Sequence, residues 1–313
     1  MAYGSGKYIF ELADGWAKWP PGWSLGMVSG LATDSSDRLY VFQRGGPQPV
    51  VVLDRNGQVE RTWGEGSFDK PHGIYVSPDG FVFCADYGNH TVSKFTPEGK
   101  LLMVLGNKGR PSDSGYERKP GASMESAVET IKRGAPPFNL PTNTMVSRSG
   151  HIYVSDGYGN ARVHKFSPDG KLLLSWGEPG TGPGQFMLVH RVWLDTQERV
   201  WVADRHNSRV QVFSPQGEFI KQWPCFRPTD VFIDRNDIVY LGEGKPNHAV
   251  GLYSTEGQPL ARLARKADSP VDAPAWTPHT LAVDSRGDIY ISGSLGAATG
   301  ASSPGTVLKL VRQ

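Results

Sequence analysis

Apolar residues in this chain come in short runs of strand length, closed by turn residues, and one such run recurs six times. The copies read Leu39-Tyr40-Val41-Phe42-Gln43-Arg44, Phe81-Val82-Phe83-Cys84-Ala85-Asp86, His151-Ile152-Tyr153-Val154-Ser155-Asp156, Arg199-Val200-Trp201-Val202-Ala203-Asp204, Ile238-Val239-Tyr240-Leu241-Gly242-Glu243 and Asp288-Ile289-Tyr290-Ile291-Ser292-Gly293. Short apolar runs of this length, closed by turn residues, read as β-strands. Each is preceded by another apolar segment. Several are followed by a third strand, as at Asn160-Ala161-Arg162-Val163 and Asn207-Ser208-Arg209-Val210. A turn such as Ser167-Pro168-Asp169-Gly170 and a fourth strand such as Leu172-Leu173-Leu174-Ser175-Trp176 complete the unit.

Units of about forty residues with four short strands are the signature of propeller blades. The fold class expected is all-β, a six-bladed β-propeller, with residues 1–313 as one domain. The sixth copy has room for only part of a blade, so Tyr8-Ile9-Phe10-Glu11-Leu12 is expected to supply its missing outer strand and close the ring. One insertion, at about residues 107–137, interrupts the repeat. Ser123 to Arg133 within it reads as a short helix with Ser123 as N-cap and Lys132 and Arg133 near its C-terminal end. The insertion is either a lid over one face or a solvated surface loop.

Composition agrees with this pattern: 38 glycines, 24 prolines and 11% aromatics suit a chain of many strands and turns. With 33 basic against 31 acidic residues, the net charge of +2 supports neither nucleic acid nor an anionic membrane as partner. No apolar run resembles a signal-peptide core or a membrane span, so a cytoplasmic location is expected. Cys84 and Cys225 stand in apolar strand contexts and read as two buried thiols rather than a disulfide. Trp16, Trp19 and Trp23 read as packing of the N-terminal segment against the ring.

The candidate chemistry lies at one position of the repeat. Fourteen residues before the end of each second strand stand Gly30, His72, Thr142, His190, Thr229 and His279, so histidine occupies every second blade. Alternate blades of a six-fold ring are a third of a turn apart, and their histidines converge on the axis as a tripod. Three imidazoles with an open fourth position make a catalytic zinc site. His90, His164, His206 and His248 show no such pattern and read as surface or packing residues. In an antiparallel blade the second strand ends at the face where the first begins, so Arg44, Tyr158, Arg205 and Glu243 surround the same mouth. By this count Arg44 stands where other copies have Asp86, Asp156 and Asp204. It either holds a carboxylate of the substrate or bridges to an acid of a neighbouring blade.

These residues resemble the catalytic core of the NHL-repeat peptidyl-α-hydroxyglycine α-amidating lyases. The likeness runs through Pro71-His72-Gly73, Val154-Ser155-Asp156-Gly157-Tyr158 with Asn160 and Arg162, Gly184-Gln185-Phe186, His190, Val202-Ala203-Asp204-Arg205, Gly244-Lys245-Pro246 and Pro278-His279. The resemblance implies zinc on His72, His190 and His279, Tyr158 as catalytic base, and Arg44 and Arg205 as substrate arginines. It also implies a lyase reaction in which the C–N bond of a carbinolamide breaks to give an amide and glyoxylate. The family's structural calcium uses carbonyls that match Leu31 and Ile74 and an aspartate replaced here by Thr280, so calcium is not expected. The family's disulfide cysteines are also missing, for instance at Gly159.

Three functions follow as expectations. The first is a zinc-dependent lyase acting on a small, anionic N-acyl hydroxyglycine or related carbinolamide. The second is a zinc-dependent hydrolase of an amide, ester or lactone, with Glu243 as base. The third is a non-catalytic NHL binding module.

Overall fold

The computed structural model describes residues 2–244, 247–264, 275–294 and 305–313. Lys245 and Pro246 lie outside the described residues. The described residues form six antiparallel blades. The first runs Met27–Thr33, Leu39–Arg44, Val50–Leu53 and Val59–Trp63. The second runs Pro71–Val76, Val82–Asp86, Thr91–Phe95 and Leu101–Gly106. The third is Pro141–Val146, Ile152–Asp156, Arg162–Phe166 and Leu172–Trp176. The fourth is Val189–Leu194, Val200–Asp204, Arg209–Phe213 and Phe219–Pro224. The fifth is Pro228–Ile233, Val239–Glu243, Ala249–Tyr253 and Pro259–Ala264. The sixth combines Ala275–Val283, Ile289–Ser294 and Gly305–Arg312 with Tyr8–Leu12 and, outermost, Ala2–Ser5.

Ring closure is therefore made as expected, through Phe10↔Arg312, Glu11↔Val311 and Leu12↔Leu310. The fifth strand, Ala2–Ser5, was not foreseen, because Ala2-Tyr3-Gly4-Ser5 carries no apolar run. Its Tyr3 is buried against the fifth blade's outer strand in a cluster with Leu263.

The core lies between blades rather than at one centre. Separate apolar clusters fill the interfaces of the first and second, fourth and fifth, fifth and sixth, and sixth and first blades, and one larger cluster spans the second to fourth. A second strand is thus sandwiched between neighbouring sheets, which is why Leu39, Tyr40, Val41 and Phe42 are all fully buried. Outer strands such as Leu101–Gly106 are mostly exposed and contribute one or two anchors. Trp16 packs on Tyr290 at 5.1 Å and Trp23 is largely exposed. Cys84 and Cys225 are free thiols, the first buried and the second only partly so, because Cys225 follows an outer strand.

The repeat count in the first blade needs a correction. Hairpin partners Thr33↔Leu39, Val76↔Val82, Val146↔Ile152 and Leu194↔Val200 align the blades, and the fourth residue after each hairpin is then Gln43, Asp86, Asp156 and Asp204. Gln43, not Arg44, is the structural counterpart of the aspartates. It also does what they do, since Gln43 Oε1 accepts from Gly26 N at 2.6 Å, as Asp86 accepts from Asp69 N at 2.8 Å, Asp156 from Asn139 N and Asp204 from Met187 N. The carboxylates gather the backbone N–H groups leading into their own blades. Ser29 consequently replaces Gly30 in the alternating ring, and Arg44 becomes the counterpart of Arg205, three blades away.

The insertion is largely exposed but is anchored through the buried Ser114, Ala127, Val128 and Ile131. The α-helix is only Met124–Ala127, with Ser123 Oγ capping Ser126 N at 3.0 Å, followed by a 3₁₀ turn at Val128–Thr130. It stops before Lys132 and Arg133, because Ile131 turns extended to enter the core and both N–H groups donate to Ser114 O.

Candidate metal centre

The first strand of every blade carries a register shift at its channel-facing start: between Val28 and Gly30, Pro71 and Ile74, Pro141 and Asn143, Val189 and Arg191, Pro228 and Asp230, and Trp276 and Leu281. Bulges of this kind re-aim a side chain out of the sheet pattern. The bulged residues include Ser29, His72, Thr142, His190, Thr229 and His279, the ring that alternates histidine with a hydroxyl residue.

The histidines meet. Each pair of rings has centroids 5.0 Å apart, and one nitrogen from each lies within 4.8 Å of the others. Nδ1 of His72 bonds Thr142 O at 2.6 Å and Nδ1 of His190 bonds Thr229 O at 2.5 Å. His279 faces the matching carbonyl, Ser29 O, in a looser contact. Thr142 Oγ1 in turn donates to Val189 O at 2.7 Å, and Thr229 Oγ1 donates to Pro278 O, each the residue before the next histidine. A necklace of hydrogen bonds thereby passes from blade to blade, fixes the imidazole orientation and leaves Nε2 for the axis. Ser29, Thr142 and Thr229 are the site residues that sequence reasoning passed over. Thr142 and Thr229 stood between the histidines at the repeat position, whereas Ser29 was hidden behind Gly30 until the hairpin pairing placed it.

Electrostatics keep the tripod neutral. Burial pushes His72 well below the ordinary histidine range, aided by the neighbouring His279 and by the charge of Arg44. Burial also pushes down His190, with Arg205 and the other two histidines beside it. Burial followed by Arg44, Arg205 and Arg191 brings His279, the least covered of the three, to about 3. Neutral imidazoles, two of them with Nδ1 held by a backbone carbonyl, are a donor set that suits zinc, so the residues present fit a transition metal.

Tyr158 stands beside two of the histidines, its buried Oη 3.0 Å from both His72 Nε2 and His190 Nε2. Arg44 and Arg205 leave the ends of second strands on opposite sides of the ring, both half-buried. Arg44 Nη1 donates to Tyr87 Oη at 2.8 Å and Nη2 contacts Met27 Sδ, so its neighbour is a tyrosine rather than an acid of the next blade. Tyr87 lies edge-on to Tyr158 and His72, at 5.7 and 6.0 Å.

Glu243 does not join the histidines. Like the aspartates it matches, it turns into its own blade, where Tyr253 Oη donates to it at 3.0 Å, Asn247 Nδ2 at 3.2 Å and Arg262 Nη2 at 3.0 Å. It is a blade anchor, and its expected role as hydrolytic base is withdrawn. One residue further along the inner strands, Arg191 Nε pairs with Asp230 Oδ1 at 2.8 Å in full burial. Burial lifts the Asp230 carboxyl to about 6 despite that partner. Thr280 Oγ1 accepts from Leu31 N at 3.1 Å and also bonds Asp230, so this layer already holds a fixed cation beside its carboxylate.

Residues 68–95 and 186–213 match the NHL repeat family. The chain is 36% identical over 233 residues to human NHL repeat-containing protein 3, covering 70% of this chain and 61% of that protein. It is 33% identical over 213 residues to peptidyl-alpha-hydroxyglycine alpha-amidating lyase 1 of Drosophila melanogaster, covering 63% of this chain and 36% of that protein. The chain thus spans less than two thirds of these relatives. A virginiamycin B lyase from Staphylococcus aureus superposes with a TM-score of 0.59 at 15% identity, over 97% of this chain and 89% of that one, a likeness of fold alone.

Proposed function

We propose that this chain is a zinc-dependent lyase, since two of its segments match the NHL repeat and peptidyl-α-hydroxyglycine α-amidating lyases stand among its relatives. Its substrate is a small N-acyl α-hydroxyglycine or related carbinolamide carrying an anionic group. The observation that carries this reading is Tyr158, whose hydroxyl stands 3.0 Å from two nitrogens of the tripod. His72, His190 and His279 would hold the zinc ion, which would supply a Lewis acid for the substrate's oxygen.

The chain's own residues supply the rest. Arg44 and Arg205, from blades on opposite sides of the ring, bind the substrate's carboxylate and fix the carbinol carbon beside Tyr158. Tyr158, as tyrosinate, takes the proton of the α-hydroxyl. The O–H electrons form the new C=O bond of glyoxylate as the C–N bond breaks, and the amide nitrogen leaves with its electron pair. Tyr158 returns the proton to that nitrogen, so the cycle closes without a net change in the protein. The blade-anchoring position of Glu243 supports this reading over hydrolysis, since it leaves the tripod without that carboxylate.

The test compares variants on one hydroxyglycine substrate. Tyr158→Phe should keep about one equivalent of zinc and lose roughly 10²- to 10⁴-fold in kcat. His190→Ala should lose most of the metal, and Arg205→Ala should act mainly on KM. Full activity in Tyr158→Phe would refute the lyase reading.

A further inference from the structure

We propose that the insertion at residues 107–137 is a positioning device for Tyr158, acting through Ser114. This deepens the lyase reading and rests on it for the role of Tyr158, but not for the mechanical claim.

The reason lies in the loop that joins the second and third strands of a blade. In the second blade it runs from Asp86 to Thr91 and closes on itself through His90 N to Tyr87 O at 3.3 Å, with His90 at φ +56°. The fourth blade repeats this with Ser208 N to Arg205 O at 3.2 Å and Ser208 at φ +50°. An asparagine anchors each to its aspartate, Asn89 to Asp86 at 2.6 Å and Asn207 to Asp204 at 2.8 Å. Asn160 does the same for Asp156 at 2.7 Å, but it lies four residues on rather than three. The third blade's loop is therefore one residue longer, and the enlarged part is where Tyr158 and Gly159 stand. Among the described residues 157–161 there is neither the closing turn bond nor a positive φ.

Backbone groups released from a turn need other partners when buried. Here the chain entering the third blade supplies them. Gly159 N donates to Asn139 O at 3.0 Å and Gly159 O accepts from Ser114 Oγ, while Tyr158 N to Leu140 O at 3.4 Å takes the place of the bonds Tyr87 N to Lys70 O and Arg205 N to Leu188 O of the other blades. The fully buried Ser114 hydroxyl also accepts from Asn139 Nδ2 at 3.1 Å, joining the insertion to the strand entrance. Ala135 N donates to Asn160 Oδ1 at 3.2 Å and Ala135 O accepts from Asn160 Nδ2. The far side of the insertion is itself held, with Lys132 N at 2.9 Å and Arg133 N at 3.2 Å on Ser114 O, and Val128 and Ile131 in the same apolar cluster as Tyr158. No side chain fits at Gly159, where a Cβ would stand 2.3 Å from Asn139 Oδ1. The insertion thus completes the loop's hydrogen bonding, and its contacts end one residue from the proposed base.

The experiment uses the zinc-loaded full chain labelled with 3-fluorotyrosine, the Tyr158 resonance being the one lost in Tyr158→Phe. Ser114→Ala should shift or broaden that resonance while zinc content stays at wild type. On a hydroxyglycine substrate it should lower kcat by about 10- to 100-fold with KM within about twofold, the effect of a misplaced reacting group. Thr130→Val, which alters only bonds inside the insertion, should leave resonance and kcat unchanged. Should Ser114→Ala unfold, Ser114→Cys makes the same comparison with a weak donor of similar size. An unchanged Tyr158 resonance in a folded Ser114 variant overturns the proposal. If the wild type turns over no carbinolamide, the lyase reading fails while the resonance still decides the mechanical claim.

Discussion

His279 shows how single residues tie the site to the acid limit of the fold. In the metal-free protein its pKa is about 3, held there by burial and by Arg44, Arg205 and Arg191, with His72 and His190 as its other neighbours. An unfolded histidine titrates near 6.5. The depressed value means that the unfolded chain takes up the proton first as pH falls. The stabilisation is present above about pH 6.5 and is lost progressively towards pH 3. Asp230 acts in the opposite sense between about 6 and the ordinary carboxylate range. Thermal melts of chelator-treated protein from pH 7 to 4 should therefore show a smaller pH-dependent fall in Tm for His279→Gln than for wild type. Identical slopes would mean that the imidazole is not shielded in solution.

At the scale of the strand, the bulge is the functional element. It turns one residue per blade towards the axis, and in the first two blades it brings neighbouring inner strands so close that only glycine, Gly30 and Gly73, stands beside it. A Cβ at Gly73 would lie 2.5 Å from Thr142 O and from Asn143 Oδ1, directly after His72 and against the carbonyl that orients it. Gly73→Ala should thus cost about 1–3 kcal/mol in chemical denaturation, the usual range for overpacking, and weaken zinc affinity by displacing His72. Retention of both would show that the inner strands separate easily. Substitution at Gly66, whose Cβ meets nothing within 4 Å but whose φ is +70°, provides a comparison in which strain arises without crowding.

At the scale of the molecule, the ring stands or falls on closure. The sixth blade takes two strands from the N-terminus, and Phe10, fully buried, packs there with Leu308 and Leu310. A chain starting at residue 14 would expose the edge of Gly305–Arg312 and one face of an interblade core. It should melt at clearly lower temperature and lose zinc, because the tripod needs the second, fourth and sixth blades held in one ring. An unchanged Tm would show that closure adds nothing. Addition of the missing segment as a peptide should restore part of the loss if strand pairing is the cause.

The repeat of apolar runs was sufficient for the six blades, the ring closure and the histidine tripod, because both strand burial and the one-in-two spacing of histidines are written in local sequence. Arg44, Arg205 and Tyr158 were likewise legible at the mouth, from the antiparallel hairpin and from resemblance. Tertiary structure alone decided the rest. A one-residue difference between repeats is invisible to counting but decides register, so only hairpin pairing reassigned Gln43 and revealed Arg44 and Arg205 as counterparts. Glu243 had the right residue type at the right strand end, yet a side chain's direction depends on which partners are in reach, and its partners lie on the outer strands of its blade. The hydroxyl residues that orient the histidines and the grip of Ser114 on the Tyr158 loop join residues between 39 and 70 positions apart. Such hydrogen bonds are set by the curvature of the ring, and no local pattern encodes them.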